Sequence, residues 1–164
     1  MNYVIFTQND RFFIPNVLEE LFRFKKPEVV IILRDYHSGV KRFTAIKKKL
    51  NLFGFKYSLI LAFKLFLKIV LRENSIKSVC RAHGIKVHFF DDIENQQIEN
   101  LITVLRPELL VSLGCPQKIK SNLLGLFDKG GINFHSGYLP DFAGVFPVFW
   151  NLFMDSKQAG YTIH

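Results

Sequence analysis

Asn133 and His135 stand two residues apart in GGINFHSGYLPDFAGVFPVFW, residues 130–150. Side chains alternate between the faces of a strand, so the two share one face if this segment is extended. Asn133 offers a carboxamide N–H, and His135 an imidazole that exchanges a proton near neutral pH. Side by side, such groups suit acyl-group chemistry: the amide stabilises a tetrahedral oxyanion while the imidazole handles the proton of an attacking amine. The pattern is short, however, and a capped strand end with a solvated histidine is its commoner meaning. Gly114-Cys115-Pro116-Gln117 is a second unusual strand end, where glycine and proline shape the backbone into a cradle. Taken alone, it reads as an ordinary strand-to-helix turn.

The other reactive side chains point less clearly to chemistry. Cys80 and Cys115 fit no metal or redox spacing and read as reduced thiols of a cytoplasmic protein. No histidine lies near Cys115 in sequence to activate it, so it reads as a packing residue. His83, His88 and Asp91-Asp92 are irregularly spaced; solvated turn residues and a helix cap describe them better than a metal site. No metal is expected.

The elements that must position these residues follow from periodicity. YVIFT (Tyr3–Thr7), EVVIIL (Glu28–Leu33), KVHFF (Lys86–Phe90), ELLVSL (Glu108–Leu113) and Gly131–His135 are short apolar runs of the kind buried strands show. GYTIH, Gly160–His164, reads as a further strand. Helices are expected at Ile14–Phe24, Ser75–His83, Asn95–Arg106 and Ser121–Phe127, with Pro147 opening another in its first turn. Strand–helix–strand repetition predicts an α/β, Rossmann-like fold: a mostly parallel sheet flanked by helices. Ligands of such sheets bind beyond the carboxyl ends of strands. Gln8-Asn9-Asp10 occupies the place of a glycine-rich phosphate loop, which argues against dinucleotide binding. At 164 residues the chain suits one domain, and MNYVIFTQND lacks the features of a secretory signal.

In order and spacing, Asn133, His135, Leu139, Pro140, Gly144 and Pro147, followed by Phe149-Trp150, resemble the signature of folate-dependent formyltransferases. Ser75–Val87 resembles the segment leading to that family's middle strand, LRPELLVSLGCPQKI (Leu105–Ile119) its pterin-binding strand and loop, and GYTIH its G-x-T-x-H strand. Correspondence is good from Ser75 to His164 and weaker over residues 1–35. The resemblance implies a formyltransferase N-terminal catalytic domain over residues 1–164, with 10-formyltetrahydrofolate as formyl donor. Asn133 would polarise the formyl carbonyl. His135 would take the amine's proton and assist departure of the folate nitrogen. Gly114, Cys115, Pro116, Gln117 and Ile119, with Leu139 and Pro140, would bind the cofactor, and His164 would line the site or face solvent. The family's catalytic aspartate lies a few residues past the histidine matching His164, so the 164-residue chain is expected to be an inactive fragment.

Two departures from the pattern matter, the first for the geometry of the loop and the second for the acceptor. Gly137-Tyr138 stand where the family commonly has serine, and Phe142-Ala143 where members acting on tRNA usually carry arginine. The expected acceptor is therefore a small-molecule amine, a nucleotide-linked amino sugar, with methionyl-tRNA second. The rival from another class is a non-catalytic membrane-surface or binding domain that retains the fold. Homodimerisation is left open.

The net charge of +8 is localised. Nine of the 22 basic residues lie in Lys41–Arg72, which holds no acidic one, leaving 13 basic against 14 acidic elsewhere. Residues 41–72 read as a basic amphipathic helical insertion after the second strand, with Lys64, Lys68 and Arg72 forming one stripe. Lysine interrupts it too often for a bilayer span. A hairpin packed on the domain or a partner, with snorkelling lysines, is the plainest reading. Docking peripherally on the inner face of a membrane comes next, and tRNA contact third.

Overall fold

The computed structural model describes residues 1–34, 54–60, 62–64, 66–67, 75–144 and 147–164. Its centre is built from the two most apolar runs. β1 (Tyr3–Gln8) buries every side chain but its last, and β2 (Val29–Leu33) buries all five. Side chains sealed this completely contribute about 1.5–3 kcal/mol each when large, so these strands must sit inside the sheet. β3 (Lys86–Phe90), β4 (Leu109–Leu113), β5 (Gly131–His135) and β6 (Thr162–Ile163) complete six strands in the order β3-β2-β1-β4-β5-β6. β1 to β5 run parallel, and β6 is antiparallel to β5.

Alternation along β1 sends Tyr3 and Ile5 to one core and Val4 and Phe6 to the other. The first core is closed by Leu18 and Phe22 of α1 (Ile14–Phe24) and by Ile76 and Val79 of α2 (Ile76–Ala82). Ile98 and Ile102 of α3 (Gln96–Leu105) close the second. Local signals set the helix ends. Ser75 and Ser78 form a reciprocal capping box at the start of α2, and the Asn95 side chain accepts from the Gln97 N–H to start α3. Arg106 ends α3 in the left-handed region (φ +46), a position glycine usually takes. α4 (Ser121–Leu124) is shorter than the expected Ser121–Phe127: beyond Leu124 the chain turns through Leu126 and Phe127, which seats Phe127 in the second core. α5 (Pro147–Phe153) opens on proline as expected.

Asp10 explains why no phosphate loop is needed after β1. Its Oδ1 accepts from the backbone N–H groups of Phe12, Phe13 and Ile14, so the chain's own carboxylate fills the anion position at the start of α1. Of the basic segment, residues 54–60, 62–64 and 66–67 are helical, with Phe55, Tyr57, Leu59, Phe63 and Phe66 exposed. Residues 41–53, Lys68 and Arg72 lie outside the described residues. No helix among the described residues is long and apolar enough to cross a membrane.

Candidate active site

Parallel pairing sets the site. Register aligns Phe6 of β1 with Ser112 of β4, and Ser112 with Asn133 of β5. On the far side of β5, Asn133 and His164 exchange backbone hydrogen bonds, N–H to O, of 2.7 and 3.1 Å. Paired residues share a face, so Ser112, Asn133 and His164 form a polar row across the carboxyl edge of the sheet. Side chains link the row. The Ser112 hydroxyl donates to Asn133 Oδ1 at 2.8 Å, and Asn133 Nδ2 lies 2.9 Å from His164 Nε2. An amide N–H only donates, so His164 Nε2 accepts and its proton resides on Nδ1. One Asn133 N–H is left without a partner among the described residues.

His135, two residues along the same face, is also oriented. Its Nε2 lies 2.8 Å from the Phe142 carbonyl oxygen, which can only accept; Nε2 therefore carries a proton, and in the neutral ring Nδ1 keeps the lone pair. The loop that delivers this carbonyl is held from β6. Thr162, paired with His135 in register, donates to Gly137 O at 2.9 Å and accepts from Leu139 N at 3.0 Å. Gly137 is buried where loop, helix and histidine meet, and a Cβ there would lie 2.9 Å from His135 Nε2. In this backbone a side chain at position 137 has no room. Tyr138 is exposed, and the Leu139–Pro140 peptide is cis.

The Gly114–Ile119 loop leaves the adjacent strand end. Gly114 adopts φ +60, a conformation open to glycine at little cost, and a Cβ there would reach Gln8 Nε2 at 3.7 Å. Gln117 braces three loops: Nε2 donates to Arg34 O (2.9 Å) and Asp91 O (2.7 Å), and Oε1 accepts from Ile93 N (2.8 Å). Ile119 and Cys115 pack against the second core, and Pro116 is half-buried. Burial pushes the Cys115 thiol up to about 11, against the smaller opposing effect of its bond to Gln117 O, so it stays protonated. Backbone, more than side chains, is what this loop presents.

The scattered histidines and aspartates are engaged separately. His83 Nε2 lies 3.2 Å from Glu19 Oε1, Asp91 pairs with Arg34 at 3.0 Å, and Asp92 Oδ1 accepts from Glu94 N. His88 stacks on Phe90. No group of three or more potential metal ligands is gathered among the described residues. Conversely, Ser112 and the Phe142 carbonyl are site components that no sequence pattern singled out, and Thr162, noted only within the GYTIH strand, is a third. The available signal was a lone hydroxyl in the apolar strand LLVSL.

No family model matches the chain. By sequence it is similar to the methionyl-tRNA formyltransferase of Anaeromyxobacter dehalogenans, 30% identical over 93 residues, which are 57% of this chain and 30% of that protein. The same enzyme of Trichlorobacter lovleyi is 27% identical over 92 residues, 56% of this chain and 29% of the other. The chain thus spans about 30% of the length of the curated relatives it matches. In structure it resembles the phosphoribosylglycinamide formyltransferase of Streptococcus pneumoniae, with a TM-score of 0.59, 16% identity, and coverage of 99% of this chain and 72% of that one. The formyltetrahydrofolate deformylase of Pseudomonas syringae gives a TM-score of 0.62 at 14% identity, covering 99% and 45%. Those structural likenesses speak for the fold, and the sequence likeness, to methionyl-tRNA formyltransferases, extends over just over half of this chain.

Proposed function

We propose that the protein transfers a formyl group from 10-formyltetrahydrofolate to a primary amine, with Asn133 and His135 as its catalytic residues. The observation that carries this is the pair itself: a carboxamide and an imidazole on one face of β5, each held in one orientation by fixed partners. The amine nitrogen attacks the formyl carbon, and the carbonyl π electrons move onto oxygen. The free Asn133 N–H stabilises that oxyanion. His135 Nδ1 takes the proton lost by the amine and returns it to the departing folate nitrogen as the carbon–nitrogen bond breaks. The Gly114–Ile119 backbone, together with Leu139 and Pro140, would bind the pterin, and His164 stands beside Asn133.

The acceptor we favour is a nucleotide-linked amino sugar, because Phe142-Ala143 replace the arginine expected of tRNA-acting members. A second reading, methionyl-tRNA, is favoured by the name of the sequence relatives. The workplace is the cytoplasm; for the basic segment, docking on the inner membrane surface is the second reading after packing on the domain or a partner, and absence of pelleting with anionic vesicles at low salt removes it.

The test offers 10-formyltetrahydrofolate to the full-length protein with a panel of amino sugars, their nucleotide conjugates and methionyl-tRNA. Asn133→Ala should lower kcat by about 10²–10³-fold, and His135→Ala by about 10²–10⁴-fold. Undiminished transfer in either variant would remove that residue's role. Transfer to no amine would leave a non-catalytic domain that retains the fold.

A further inference from the structure

We infer that Ser112 is a positioning residue that fixes which end of the Asn133 carboxamide faces the reacting formyl group; the inference rests on the formyl-transfer reading above. Ser112 is the one polar side chain of β4 and is 5% exposed. Its register neighbour on β1 is Phe6, which is fully buried and offers no acceptor. Its neighbour on β5 is Asn133, and among the described residues Asn133 Oδ1, at 2.8 Å, is the only partner recorded for the hydroxyl. A buried hydroxyl proton needs an acceptor, so it goes to that oxygen.

A carboxamide is nearly symmetric in shape, and its two ends exchange by a half-turn about the last side-chain bond. Turned one way, Asn133 offers an N–H to developing negative charge; turned the other, it offers an oxygen that repels it. Ser112 removes the second choice, because a flipped amide would leave the hydroxyl proton without an acceptor. His164 Nε2, 2.9 Å from Asn133 Nδ2, adopts the tautomer that the amide's orientation requires and so reports on it. Packing alone gives no reason for a hydroxyl here, since the surrounding LLVSL strand favours valine. Its use lies in directing the amide.

The test compares full-length wild type with Ser112→Ala, Ser112→Val and Ser112→Thr, with folding checked by thermal unfolding. Ser112→Ala and Ser112→Val should lower kcat about tenfold, the effect of one ordinary hydrogen bond. KM for 10-formyltetrahydrofolate should be unchanged, as for an interaction expressed in the transition state. Ser112→Thr, which keeps the hydroxyl, should restore most of the rate. A second readout needs no activity: with nitrogen-15-labelled histidine, His164 Nε2 should be an unprotonated acceptor in the wild type and become a donor in Ser112→Ala, where the amide is free to turn. Wild-type kcat and an unchanged His164 tautomer in Ser112→Ala would overturn the inference, as would a Ser112→Thr protein no better than Ser112→Val. If the wild type transfers no formyl group, the formyl-transfer reading fails, while the tautomer comparison still decides whether Ser112 directs the amide.

Discussion

Replacing Gly137 by alanine separates the packing of the loop from the chemistry it supports. The added Cβ would lie 2.6 Å from Pro147 Cβ, 2.7 Å from Phe142 O and 2.9 Å from His135 Nε2. Carbon atoms settle about 3.5–4.0 Å apart, so a displacement of about 1 Å is required. No neighbour yields easily: one is a proline ring, one a backbone oxygen, and one a histidine already bonded to that oxygen. Overpacking of this kind costs about 1–3 kcal/mol, and each kcal/mol lowers Tm by about 2–4 °C in a domain of this size. The catalytic effect should be larger. Phe142 O sits 2.8 Å from His135 Nε2, and a shift of even half the required distance would stretch that bond toward the limit of hydrogen bonding. Misplacing a reacting group by about 1 Å can cost about 10²-fold in rate. Calorimetry and formyl-transfer kinetics on full-length Gly137→Ala should thus show a modest drop in Tm and a disproportionate loss of kcat/KM. Wild-type values of both would refute the close packing and the role given to the Phe142 carbonyl.

Thr162→Val removes the hydroxyl bonded to Gly137 O and Leu139 N; denaturant unfolding should register a loss of about 1–2 kcal/mol, with kcat/KM falling in parallel. Glu108 is held down to about 2 from an ordinary 4.5, first by its hydrogen bond from Lys129, then by the Asn2 N–H and the N-terminal ammonium. A depressed carboxyl stabilises the fold above 4.5, and that stabilisation is lost as pH falls toward 2. Glu108→Gln should therefore melt below wild type at pH 7, with the gap closing across that acidic window; a gap independent of pH would contradict the assignment.

The strands were legible because their apolar runs are short and nearly unbroken, and the Asn133–His135 pair because alternation is a local rule. What lay beyond the sequence is what register decides. Ser112 and Asn133 are 21 residues apart, and His135 and Thr162 become neighbours only when β6 turns antiparallel. The partner of His135 is a backbone oxygen, which no side-chain pattern announces. Arg106 closes α3 in the left-handed region although it is not a glycine, and Pro107 follows at the boundary. Gln117 is a ligand contact by resemblance, and what the sequence did not reveal is that its amide joins the loops after β2, β3 and β4.

β6, two residues long at the edge of the sheet, supplies both Thr162 and the backbone pairing that carries His164. The Gly137–Leu139 loop and the outer anchor of Asn133 therefore form one mechanical unit, since displacing this strand would release both in the same event. A ligand that binds only the assembled form would raise the protection of these amides against hydrogen exchange.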